Sequence, residues 1–271
     1  GIGFQIVSQP IQFFLKKILI NNSELNPLGA KLLSKHFVIF LFFFISGIFF
    51  YLILRRIIDN EVFSSLGAIT YLSYPYLFGQ SMFSPKDIPF LSIWLVCTYF
   101  SFNIFKKLIF KNLIENKDIF ILSFLTAYLL SIRIAGVLIL IQYLVLFLLF
   151  LNLYKKEFLI FFKDFYLKLL FFVFGLIFFT YLLYPIFWID PYFLFETIKI
   201  NANHFNNVGT LTLGQIMYSK DLPSTYLIIW FLVKIPLLII IGILLIPLSE
   251  KKIFEDVHRR RARKDDFQYE R

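Results

Sequence analysis

A chain of 271 residues with 59% hydrophobic and 21% aromatic side chains, and only 16% charged, lies far outside the composition of soluble domains and reads as an integral membrane protein. Its net charge of +10 gathers at the ends of apolar runs, which points to a positive-inside membrane topology and not to nucleic acid. The single cysteine, Cys97, lies within an apolar run, where it suits helix packing, and one cysteine excludes an intrachain disulfide framework or a thiolate metal site.

In chain order, residues 1–35 form an extracytoplasmic or interfacial segment, because "IQFFLKKILI" is apolar with a cationic pair. Residues 36–248 form the bundle, with about seven spans near 36–54, 62–80, 88–105, 118–134, 136–153, 167–187 and 225–247. The run from Ile119 to Leu153 is too long for one span, and Ser131, Arg133 and Gly136 predict a tight helical hairpin. Residues 249–271 form a basic tail. Arg55 and Arg56, then Lys106, Lys107 and Lys111, then Lys155 and Lys156, then Lys251, Lys252 and "RRRAR" make every second loop basic. Those loops are predicted to be cytoplasmic, which puts 81–87, the turn at Arg133 and the long loop 188–224 outside. The predicted fold class is therefore an all-α polytopic transmembrane helix bundle.

Polar chemistry is confined to a few places on that outer face. In "FSPKDIPF", Asp87 suits a helix N-cap before Ile88 and Pro89, and Lys86 suits an interfacial anchor. A functional role competes with that structural one, because the other outer segments also carry isolated polar groups. Arg133 lies in the hairpin turn, and the long loop contributes Trp188, Asp190, Glu196, His204, Lys220 and Asp221. His204 has no second His or Cys at ligand spacing, so a surface histidine is the plain alternative. Lys234, two to three turns into the last span, either snorkels to the headgroups or lines a polar cavity that meets an anionic lipid.

Four stretches together resemble the membrane glycosyltransferases that use polyprenyl-phosphate sugars, of the protein O-mannosyltransferase and aminoarabinose transferase type. "SYPYLFGQSMFSPKDIPF" is similar to the family's second outer loop, and "SIRIAG" to the basic turn after its fifth helix. "FWIDPYFLFETIKINANH" and "LPSTYLIIWFLVKIPLL" resemble the loop and helix that follow. The resemblance implies a GT-C-like fold and transfer of a sugar from a polyprenyl-phosphate donor to a lipid, glycan or protein acceptor at the outer face of a bacterial inner (plasma) membrane. It aligns the seven spans with family helices two to eight. The family's first-loop acidic residue and its C-terminal part are then expected outside this sequence, and the fragment alone is expected to be inactive.

Within the chain, Asp87 is the catalytic carboxylate the resemblance leaves, ahead of Asp190, either taking the acceptor proton or holding a divalent metal ion. Lys86, Arg133 and Lys234 are the cations for the donor phosphate, and Asp190 and His204 complete the expected substrate-binding set. The competing class is a transporter or flippase of a lipid-linked glycan, which also needs cations beside anionic lipid. Against it, the spans lack paired ionisable groups near the midplane and show no inverted repeat of broken helices.

Overall fold

The computed structural model describes residues 2–245 apart from 23–24, 59, 110–113, 154, 191, 194–195, 197–198, 200–206, 213 and 238. The basic tail 249–271, His204 and the side chains of Lys155 and Lys156 therefore lie outside the described residues. The chain divides into two compact units, Gly1–Phe195 and Glu196–Arg271.

The first unit is helical: α1 (Ile2–Asn22), α2 (Pro27–Ile58), α3 (Glu61–Ser73), α4 (Pro75–Ser81), α5 (Asp87–Ile109), α6 (Asn116–Ile132), a 3-10 turn (Ile134–Leu138), α7 (Ile139–Leu153), α8 (Lys155–Leu183) and the short α9 (Ile186–Ile189). Four segments are long and apolar enough to cross a membrane: Pro27–Ile58, Asp87–Leu108, Ile134–Asn152 and Tyr166–Leu183. A fifth is reached if the bent pair in the second unit counts as one. Their outward faces are apolar, as with Phe174 and Ile177, because lipid and not water is the solvent expected there.

Two of the expected spans are interrupted, each at a proline. The stretch 62–80 breaks at Tyr74, which takes φ −63° and ψ 115° because the Pro75 ring excludes the helical conformation from the residue before it. The 13 residues of α3 then rise about 20 Å, short of a hydrocarbon core of about 30 Å. In the second unit, the stretch 225–247 is divided into helices Tyr226–Lys234 and Ile239–Leu245, bent by 108°. Ile235 is extended before Pro236, for the same reason. The helix α6, with 17 residues, is at the short end of what can span.

The helix α2, 32 residues long, runs unbroken through the boundary expected at position 36. Its apolar part begins at Phe37, where Val38, Ile39, Phe42 and Phe43 pack with Ile88 at the start of α5 and with Ile132 at the end of α6. The ring of Phe4 meets that of Phe42 at 5.7 Å. From that contact, the arms Phe4–Asn22 and Pro27–Phe42 rise by about 27 and about 23 Å to a short connection, so α1 and the first part of α2 form an antiparallel hairpin. It carries Lys16, Lys17, Lys31 and Lys35 with no acidic side chain in either arm.

Small residues let the helices approach. A Cβ on Gly3 would lie 2.0 Å from the Ser131 hydroxyl oxygen, and one on Gly175 would lie 2.6 Å from that of Ser123. Ser46, Ser92, Ser123 and Thr126 are buried and donate to carbonyls of their own helices, which satisfies the hydroxyls where water is absent. Between α5 and α7, the Trp94 indole donates to Gln142 at 2.8 Å and Gln142 donates to the Thr98 hydroxyl at 2.9 Å. Cys97 is fully buried beside them, in its expected packing role.

The second unit has a two-stranded antiparallel ribbon inside the expected long loop, β1 (Gly209–Thr212) and β2 (Gln215–Tyr218), with Thr212 opposite Gln215. Gly214 takes φ 82° in the turn, a conformation glycine adopts without a Cβ clash.

Candidate functional site

The hairpin read from Ser131, Arg133 and Gly136 is present, and it makes the site. Helix α6 ends at Ile132, Arg133 is extended at φ −147° and ψ 137°, and the 3-10 turn reverses the chain into α7. A Cβ on Gly136 would sit 3.1 Å from the carbonyl carbon and oxygen of Leu129, so a larger residue would push the returning backbone away by a few tenths of an ångström. The Arg133 carbonyl accepts from Gly136 N–H at 2.9 Å, and its own N–H donates to Leu129 at 3.2 Å. With its backbone held on both sides, Arg133 extends its side chain to Asp87 on α5, where Nη1 makes a close ion pair with Oδ1.

Asp87 does not occupy the N-cap position expected for it. It is the first residue of α5, and Ser84 lies just ahead of it: the Ser84 hydroxyl oxygen accepts the Asp87 N–H at 3.4 Å and donates to Asp87 Oδ2 at 3.0 Å. Ser-Pro-Lys-Asp thus has the spacing of a capping box at the entry to α5, a signal legible in "FSPKDIPF". The carboxylate therefore has both oxygens engaged, one by Ser84 and one by Arg133. Lys86 is exposed beside it, and the Phe90 ring lies 5.9 Å from the Arg133 guanidinium carbon. The Asp87 and Arg133 side chains are 59% and 43% exposed, so water screens their attraction and both can reach a ligand.

The pair lies at one end of the bundle. At that end the Tyr184 hydroxyl, following α8, donates to the Leu130 carbonyl at 2.9 Å. At the other end, where α2 and α5 finish and α6 starts, Arg55 pairs with Glu61 and Lys107 pairs with Asp118 at 2.6 Å. The ends are thus distinguished as the charge reading expects for Arg133 and 81–87 on one side and the Arg55 and Lys106 loops on the other.

Of the remaining expected site residues, Asp190 and Lys234 each have their own local partners. Asp190 caps the end of α9, is exposed, and accepts the Tyr192 N–H at 2.9 Å. Lys234 is the last residue of its helix, not a position inside a straight span, and its ammonium lies 5.8 Å from the Trp230 ring centroid. Among the described residues, no three His, Cys, Asp or Glu side chains could hold one metal ion, and the cation facing Asp87 is Arg133.

Compared with known proteins, the chain matches no family model, no curated protein and no solved structure.

Proposed function

We propose that the chain serves a membrane glycosyltransferase that moves a sugar from a polyprenyl-phosphate donor to a hydroxyl acceptor at the extracytoplasmic face. The observation that carries this reading is the Asp87–Arg133 pair, held across two helix ends, exposed, and flanked by Lys86. A donor phosphate at the headgroup level competes with Asp87 for the Arg133 guanidinium, since phosphate and carboxylate are bound by the same planar donors. Arg133 and Lys86 then neutralise the phosphate, and Asp87 is released to an acceptor hydroxyl. In the transfer the acceptor O–H proton passes to Asp87, the acceptor oxygen bonds to the anomeric carbon, and the bond from that carbon to phosphate breaks. The electron pair leaves on polyprenyl phosphate, whose charge the two cations stabilise.

Ser84 keeps Oδ2 oriented through the exchange, so the carboxylate stays aimed while its partner changes. The test is sugar transfer from a radiolabelled polyprenyl-phosphate sugar by the purified full-length protein in liposomes, with translocation of a labelled lipid-linked glycan measured in parallel. Transfer dependent on Asp87 and Arg133 supports the reading. Translocation without transfer replaces it with a flippase.

A further inference from the structure

At the end of the bundle remote from Asp87 there is a half-open cavity of about 380 Å³. Its lining combines the apolar Phe100 and Ile104 with Arg56, Asn103, Lys106, Lys107 and Asp118. Lys107 is neutralised by Asp118 at 2.6 Å, with Glu115 at 3.9 Å, so this pair contributes no excess charge. Arg56 differs. Its Nη2 donates to the Tyr99 hydroxyl at 2.9 Å and its guanidinium carbon lies 4.3 Å from the Tyr99 ring centroid, a neutral partner that fixes the fork without cancelling its charge. Among the described residues no carboxylate pairs with Arg56, whereas its neighbour Arg55 is paired with Glu61. The cavity therefore holds a positioned guanidinium and an amide beside apolar side chains, where the membrane-crossing part of α5 ends.

We propose that this cavity binds the headgroup phosphate of an anionic phospholipid. The phosphate takes the open donors of Arg56 and the Asn103 amide, and the acyl chains extend from the helix ends into the bilayer. Two features favour a lipid over a soluble phosphate. The site lies at the end of spanning helices, and its lining is part apolar. Basic pockets between membrane helices bind such headgroups for this reason. This site is separate from the Asp87–Arg133 pair and does not rest on the transfer reaction.

The test uses the purified, delipidated full chain in detergent, with native mass spectrometry reading bound phosphatidylglycerol against phosphatidylcholine. Wild-type protein should prefer phosphatidylglycerol, and Arg56→Gln should weaken that binding about tenfold or more, as loss of a charged hydrogen bond implies. Arg55→Gln, which removes the same charge from a paired residue, should leave it within about threefold. Asn103→Leu keeps every charge and obstructs the cavity, so it should also weaken binding if Arg56→Gln cannot be purified. Equal binding of the two lipids, or undiminished phosphatidylglycerol binding in either cavity variant, overturns the proposal. Displacement of the lipid by inorganic phosphate at equal concentration assigns the site to a soluble anion and overturns the lipid.

Discussion

Replacing Asp87 by Asn separates a stabilising role from a chemical one, because the two roles differ widely in magnitude here. The ion pair with Arg133 is formed by side chains 59% and 43% exposed, and such pairs contribute about 0 to 1 kcal/mol. The Ser84 hydroxyl can still donate to the Asn carbonyl, and the Asp87 backbone N–H that Ser84 accepts is untouched. Unfolding of Asp87→Asn in detergent should therefore shift by at most about 1 kcal/mol. Transfer should fall by about 10²- to 10⁴-fold, since an amide cannot take the acceptor proton. Arg133→Gln should instead raise the donor concentration needed for half-maximal rate, through loss of a phosphate contact. The assay pairs thermal unfolding with initial rates of radiolabelled sugar transfer on the same preparations of the full-length protein. Near-wild-type transfer in Asp87→Asn would refute the catalytic assignment, and a destabilisation of several kcal/mol would refute the claim that the pair is cheap to break.

The other predictions concern the architecture. Ser84→Ala should cost about 1 kcal/mol by removing the cap of α5, visible as a lowered unfolding midpoint, and Ser84→Thr should restore most of it. Gly136→Ala should destabilise by about 1 to 3 kcal/mol, because the clash is with the Leu129 backbone; Gly47→Ala, which meets the flexible end of Leu72, should cost less. Gln142→Leu should cost about 1 to 2 kcal/mol in denaturant titrations, since it leaves the Trp94 indole without its acceptor. With Cys97 buried and silent to impermeant maleimide, cysteines placed at the exposed Phe83 and Ile58 should label from opposite sides of the membrane. Labelling of both from one side would overturn the sidedness.

The helices were legible where composition alone decides them, as in α2 and α5, whose apolar runs admit only one way to satisfy a backbone in lipid. The hairpin at Arg133 was legible too, because its three signals, Ser131, Arg133 and Gly136, fall where an overlong apolar run must turn. Hydropathy did not reveal the breaks at Tyr74 and Ile235. A proline removes one N–H and bars its predecessor from the helix while leaving the apolar count unchanged. The pairing of Asp87 with Arg133 needed the return of α6 beside α5, a tertiary fact that spacing along the chain does not hold. Ser84 shows a different gap. Its capping spacing is local, but aspartate is itself a good cap, so the sequence offers two candidates and only the helix start chooses between them.

The two clusters of charge that bracket α5 act together as a gauge. From Asp87, tied to Arg133, to Lys107, tied to Asp118, the helix rises about 30 Å, close to the hydrocarbon thickness of an ordinary bilayer. A thicker membrane draws one charged clamp toward oil and a thinner one strands apolar surface in water, at a cost of fractions of a kcal/mol for each ångström. Because α5 carries one half of each clamp, that cost falls on the same pairs that join α5 to α6 and its following turn. Changing acyl-chain length should therefore load the pair of Asp87 with Arg133 as well as that of Lys107 with Asp118.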